Sequence, residues 1–178
     1  MNDSKKNNGS HSVQRLTALS LLTAAALMIY AIESMLPTLV PSPGIKLGLA
    51  NVVTLIVLKR YGARDALLVL LSRILLSACF FGSLLSLTYS MCGGLFCLLI
   101  LWLVNRLLAE HYLFLTSITG AIAHNLAQIA VAFFLTNVGG VFIYLPFLMI
   151  SACITGLFTG LCAQFTLKHL PRFENERS

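Results

Sequence analysis

The sequence predicts an all-α membrane protein, a bundle of six transmembrane helices. Of the 178 residues, 58% are hydrophobic and only 10% are charged, and the mean hydropathy is +0.89. A soluble domain of this size needs far more charge to cover its surface. Apolar stretches recur along the whole chain, and the basic residues collect at their ends. A polytopic helical protein of the lipid bilayer explains all three observations.

The first span is predicted from Arg15 to about Leu36. We expect a disordered cytoplasmic tail over 1–14, the membrane domain over 15–168, and a second cytoplasmic tail over 169–178. The charged start and the apolar run after it imitate a signal peptide. The run is long enough to cross a bilayer, however, and Ala31-Ile32-Glu33 is a poor cleavage site. We therefore interpret it as a retained helix.

The second span, over 47–59, is short for a bilayer crossing. It follows a connection, residues 37–46, in which three prolines and a glycine exclude a continuous helix. A short apolar segment after such a break is typical of a broken or partly re-entrant helix. The remaining spans are predicted over 66–81, 84–104, 115–135 and 143–167, with a turn at 137–140.

The basic residues give the orientation. Ten lysines and arginines fall on one side of the six spans, whereas the other side has only Lys46. The ten are Lys5, Lys6, Arg15, Lys59, Arg60, Arg64, Arg106, Lys168, Arg172 and Arg177. This bias predicts that both termini are cytoplasmic, in the plasma membrane of a bacterium. Because the basic residues stand singly at span ends, they do not indicate a nucleic-acid partner.

Arg73 is the one basic residue left inside a span, near the middle of the third. A charge at that depth is costly and usually faces a bundle interior, a partner or a substrate path. In the fifth span His124 and Gln128 share a helix face, and Asn125 flanks them. Three further polar residues lie toward the predicted outer side: Glu33, Lys46 and Asn51. We expect these seven residues to line an outward-facing cavity that binds a small polar solute, with 37–46 as its lid.

Each of these residues also has a structural interpretation. Arg73 pairing with Glu33 would lock the bundle without a ligand, and His124 alone would often be a hydrogen-bonded core histidine. Asn51 could bond backbone groups freed by the helix break. Glu33 could be merely interfacial, and the ammonium of Lys46 could extend to the membrane surface. The sequence leaves these alternatives open.

No motif indicates catalysis. The six acidic residues do not form an aspartate-rich pair for a magnesium diphosphate, and no P-loop or HExxH string occurs. The five cysteines lie in apolar segments without a CxxC pair, so we interpret them as packing residues. We predict no catalytic residue, metal or cofactor. Small residues every four positions, Ala152-Gly156-Gly160 and Ser20-Ala24, favour close helix packing, within the bundle or against a partner subunit.

Several strings resemble the family called heptaprenyl diphosphate synthase component I, or the Gx transporter family. They are ESMLP (33–37), PGIKLGLAN (43–51), LSRILLS (71–77), SMCGG (90–94), GAIAHNLAQ (120–128) and ITG (154–156). They cover roughly residues 30–160. The two names imply different functions, a noncatalytic subunit for isoprenoid diphosphate synthesis or an importer subunit.

The transporter name implies kinship with the six-helix S components of energy-coupling factor importers. Such subunits bind a solute from outside and pair with a transmembrane coupling subunit and cytoplasmic ATPases. They often dock through an Ala-xxx-Ala face on the first helix, to which Ser20 and Ala24 are a near match. Six spans, an outward polar cavity and no catalytic aspartates favour the importer. The alternative is a membrane subunit that accompanies a prenyl diphosphate synthase catalytic subunit in quinone biosynthesis.

Overall fold

A computed structural model describes residues 3–35, 48–81, 84–108 and 112–169, with side chains from Val13 onward and without that of Phe81. Within these ranges the chain forms six α-helices and one 3-10 helix, and no strand. The predicted lid over 37–46, including Lys46, lies outside the described residues. The helices are α1 (Asp3–Met35), α2 (Asn51–Arg60), α3 (Ala63–Phe81), α4 (Leu84–Leu107), α5 (Leu113–Thr136) and α6 (Leu145–His169), with the 3-10 helix at Gly139–Tyr144.

Helix α1 differs most from its predicted bounds. It begins at Asp3, where the sequence predicted a disordered tail up to residue 14. Adding residues to an existing helix costs much less than nucleating one, and the polar residues here include moderate helix formers. The apolar part of α1 therefore extends into a polar first section. At the turn predicted over 137–140, Asn137 is the C-cap of α5, and its φ of 53° is the left-handed conformation common at helix ends.

Four segments are long and apolar enough to cross a membrane: Val13–Met35, Leu84–Leu107, Leu113–Thr136 and Gly139–His169. Within the described residues, the length and composition of each helix set these four segments apart. Helix α2 has only 10 residues and covers about 15 Å, half of a bilayer core. Helix α3 has 19 residues but contains Arg64, Asp65 and Arg73. The protein is thus an all-α membrane protein, and α2 and α3 are its two atypical helices.

Helix α2 is the most enclosed element. Six consecutive residues, from Val53 to Leu58, are buried, and α2 packs against the other five helices. A helix that is apolar on every face is expected in the centre of a bundle rather than at its surface. Around it, α5 packs between α4 and α6, and α1 packs mainly on α3. The start of α2 therefore lies where the other helices meet.

The small residues of α6 pack within the bundle. A Cβ atom at Gly156 would lie 2.6 Å from the Cα of Ile118, and one at Gly160 would lie 2.6 Å from the Cα of Phe114. The backbones of α5 and α6 thus approach at a distance that only glycine allows. In contrast, Ser20 and Ala24 on α1 are exposed. The intramolecular interpretation is confirmed for α6, and the α1 pair remains a surface that a partner could reach.

An ion pair joins the first and third helices at the end that carries most of the basic residues. Both Nε and Nη2 of Arg15 donate to Oδ2 of Asp65, at 2.9 and 2.6 Å. The Asp65 side chain is 6% exposed, whereas that of Arg15 is 56% exposed. Asp65 also lies in the first turn of α3, where the helix dipole stabilises a carboxylate. The pair fixes the relative position of α1 and α3.

Candidate functional site

Polar side chains from α1, α2, α3 and α5 meet inside the bundle beside a glycine of α4. We call Glu33, Asn51, Arg73, His124 and Gln128 the polar cluster. Asn51 is half-buried and the other four are buried, with Arg73 4% and Gln128 1% exposed. Five of the seven residues predicted for the site therefore come together. Asn125 lies beside them on α5, and Lys46 is outside the described residues.

Arg73 is a buried cation with little direct compensation. Its guanidinium carbon lies 5.8 Å from the centre of the Tyr30 ring, and its Nε has no hydrogen-bond partner. Glu33 is near enough to attract it electrostatically. Within the described residues, the one side-chain ion pair with an N–O distance below 4.0 Å joins Arg15 to Asp65, and Arg73 and Glu33 do not form one. The predicted lock between Arg73 and Glu33 is thus an attraction at longer range.

Glu33 instead contacts the turn that precedes α2. Its Oε1 accepts a hydrogen bond of 2.5 Å from the backbone N–H of Gly48. Gly48 has φ +80°, a conformation that glycine adopts without strain, and it opens the turn that leads into Asn51. The N-terminal end of a helix attracts anions because its N–H groups and its dipole point outward there. The carboxylate of α1 lies just ahead of that end, while the first N–H groups of α2 donate to backbone carbonyls of the turn.

His124 is held between two glycines. A Cβ atom at Gly93 would lie 2.8 Å from its Cε1, and one at Gly48 would lie 3.1 Å from its Cδ2. The side-chain amide of Asn51 donates to the imidazole Nδ1 at 3.3 Å. These contacts fix the ring between α2, α4 and α5. The bond to Asn51 is also what a hydrogen-bonded core histidine would make, so both interpretations of His124 remain open.

The amides of α5 have different roles. Asn125 donates to the carbonyl of Leu148 at 2.9 Å, so its amide nitrogen ties α5 to α6. Its Oδ1 is buried without a partner, as are Gln128 Oε1 and Asn51 Oδ1. Buried polar atoms are nearly always hydrogen-bonded in native proteins, so three orphaned oxygens and one orphaned nitrogen in one region require an explanation. Gln128 fits a ligand-binding role better than Asn125 does.

A small cavity opens beside the cluster. It is lined by polar and apolar side chains of α2, α4, α5 and α6, including Asn51, Cys97, Ser117 and Thr159. Ser117 and Thr159 are hydrogen-bonded to each other at 2.8 Å. The cavity has room for about one water molecule. A larger ligand would therefore require side chains to move.

The arrangement provides charged and hydrogen-bonding groups that could contact a ligand. Among the described residues, no three histidine, cysteine or acidic side chains lie close enough to hold a metal ion. The cluster combines one cation, one carboxylate, an imidazole and two amides, which suits recognition of a charged, hydrogen-bonding group. Because its components come from four helices, binding there would also couple those helices to one another.

The structure adds three residues that the sequence did not single out for the site: Tyr30, Gly48 and Gly93. Tyr30 is three residues before Glu33, so helical spacing from that residue could have found it. Gly48 lies within the predicted start of the second span. Gly93 could be noticed as a packing glycine, but nothing in the sequence indicates that it packs on His124.

Comparison with known proteins agrees with the motifs quoted above. The model of the family described as heptaprenyl diphosphate synthase component I matches residues 22–166. No curated protein and no solved structure matches the chain. The match covers most of the chain and includes every residue of the polar cluster. The chain belongs to the heptaprenyl diphosphate synthase component I family.

Proposed function

We propose that this protein is a noncatalytic membrane subunit that works with a separate polyprenyl diphosphate synthase. The family match over residues 22–166 carries this proposal. The chain has no aspartate-rich magnesium site, so a catalytic partner would supply that chemistry. A membrane-embedded subunit suits a product with a long isoprenoid tail, because such a tail partitions into the bilayer.

The proposed orientation places both termini and the basic helix ends in the cytoplasm. All six helices would belong to the membrane domain, with α2 as an enclosed half-helix. The cytoplasmic face would then carry most of the basic residues. A soluble synthase would dock on that face.

Co-purification tests this function. A tagged copy of the protein, extracted in mild detergent, is expected to bring down a prenyl diphosphate synthase with aspartate-rich motifs. Deleting the gene should change the amount or chain length of the polyprenyl products, measured by mass spectrometry of lipid extracts. Recovery of no synthase, together with unchanged polyprenyl products in the deletion strain, would contradict the proposal.

A second candidate function is an importer subunit resembling an S component. The orphaned buried atoms of the polar cluster favour it, since a solute could supply their missing partners. The exposed pair Ser20 and Ala24 would then dock a coupling subunit that works with ATPases. This function requires a solute that the cluster can enclose.

Native mass spectrometry distinguishes this candidate. The gently purified protein is expected to retain a small molecule, and the adduct should disappear in His124→Ala. Leu126→Ala is the matched control, because Leu126 lies on the same helix and is exposed. If the wild-type protein shows no bound small molecule in the mass spectrum, and if cells that express it take up no additional solute, the import function is contradicted.

A further inference from the structure

We infer that the polar cluster is a binding site for an anionic head group, a phosphate, diphosphate or carboxylate, and that Glu33 is the internal anion which that group displaces. The inference goes beyond the proposed function by assigning a site and a ligand chemistry. It depends on that function only for the choice of a prenyl diphosphate as one probe.

The first support is the position of α2. This helix of 10 residues begins beside side chains of α1 and α5, which Glu33 and His124 contribute. Half-helices of this kind direct their positive N-terminal end toward anionic groups near the middle of a membrane protein. A carboxylate lies in the turn just before this end, since Gly48 N–H donates to Glu33, whereas the first N–H groups of α2 itself donate to backbone carbonyls of the turn. The Gly48 N–H ahead of α2 is thus a donor that already binds an anionic group.

The second support is Arg73 on the neighbouring helix. It is buried and its Nε has no hydrogen-bond partner, and a charge buried without a direct partner is costly. A guanidinium can bind a phosphate or carboxylate through two parallel hydrogen bonds. Glu33 attracts Arg73 without a direct ion pair. An anion that reached Arg73 would therefore form a bond that Glu33 does not.

The third support is the side-chain amides. Those of Asn51 and Gln128 each have an oxygen that is buried without a partner. A side-chain amide can turn to present either its oxygen or its N–H groups, so it can contact both the oxygens and the hydroxyls of a head group. Together with Arg73 and the N-terminal end of α2, these groups surround one region from three helices. The same chemistry fits a prenyl diphosphate entering from the bilayer and a free anion.

Binding to purified protein in nanodiscs of zwitterionic lipid tests the inference. The probes are farnesyl diphosphate, inorganic diphosphate, and farnesol as the uncharged control. Titration calorimetry is expected to show binding of at least one anion and none of farnesol. Binding of farnesyl diphosphate alone identifies a prenyl source, and equal binding of inorganic diphosphate identifies a free anion.

The variants separate an anion site from a structural role. Arg73→Gln is expected to weaken binding at least tenfold, whereas Glu33→Gln should strengthen it several-fold because the competing charge is removed. If Glu33 only capped α2, its replacement would lower the melting temperature without any gain in affinity. Arg106→Gln is the matched control, since Arg106 packs over Trp102 at 4.4 Å and is not part of the cluster.

One variant keeps the test valid if Arg73→Gln does not fold. Gln128→Met removes an orphaned buried amide at nearly constant volume, so it should fold at least as well as the wild type. It is still expected to weaken anion binding several-fold. Absence of anion binding to the wild type, or equal affinities in the wild type, Arg73→Gln and Gln128→Met, overturns the inference. Neither result depends on whether a synthase co-purifies.

Discussion

Gly156→Val is expected to push α5 away from α6 and to lower the thermal stability of the protein. A Cβ atom there would lie 2.6 Å from the Cα of Ile118, 3.1 Å from its backbone nitrogen and 3.2 Å from the Cβ of Ala121. Backbone atoms cannot move aside as a side chain can, so the whole helix must shift. Overpacking of this kind costs about 1–3 kcal/mol and occasionally more.

The loss is measured as the melting temperature in detergent. A cost of about 2–3 kcal/mol lowers the melting temperature of a chain of this size by roughly 5–10 °C. Gly139→Val is the matched control, because nothing lies within 4 Å of the Cβ position at Gly139. Equal melting temperatures for the two variants would show that α5 and α6 are not in close contact there.

Alanine at Gly93 is expected to disrupt the polar cluster more than alanine at the adjacent glycine. The new Cβ would lie 2.8 and 2.9 Å from the Cε1 and Nδ1 atoms of His124. A shift of the ring is opposed by its hydrogen bond to Asn51, at 3.3 Å, and by Gly48 on its other side, where a Cβ atom would lie only 3.1 Å from Cδ2. We expect a loss of about 1–3 kcal/mol in stability. Binding at the cluster should fall with it, because His124 would lose its contact with Asn51.

Gly94→Ala is the natural control for this prediction. Its Cβ would meet only terminal methyl groups, at 3.0 Å for Leu70 and 3.3 Å for Ile74, and these side chains can adjust. The two variants are compared by melting temperature and by ligand titration. In addition, His124→Ala should remove most of the penalty of Gly93→Ala, giving a strongly non-additive double mutant. Additive effects would mean that the imidazole is not what the new methyl group meets.

Most of the helical architecture could be predicted from hydropathy and charge. The predicted spans coincide with helices to within a few residues at most of their ends, because uninterrupted apolar runs have no alternative to helix in a bilayer. The exceptions are the start of α1, where a polar segment continues an existing helix, and α6, which a 3-10 helix precedes. Neither boundary coincides with a change from polar to apolar residues, so hydropathy could not locate it. The short second span was recognisable by its length alone.

The membership of the site was predictable in part. Arg73 stood out because of the cost of its charge, and the spacing of His124 and Gln128 placed them on one face. The geometry among them was not predictable. Arg73 lies near Tyr30 and does not form a direct ion pair with Glu33. The side-chain amide nitrogen of Asn125 donates to the carbonyl of Leu148. These contacts depend on the rotation of each helix about its axis, which residues distant in the chain determine.

The sequence by itself determined that this is an all-α membrane protein of the heptaprenyl diphosphate synthase component I family, with one deeply placed arginine. Hydropathy and motifs are local properties, so they can be read without a fold. Only the tertiary structure decided that this arginine lies near Tyr30 and that Glu33 contacts the turn before the short helix α2. It also decided that two glycines enclose His124. Such contacts join residues far apart in the chain, and close packing of the helices alone brings them within hydrogen-bonding distance.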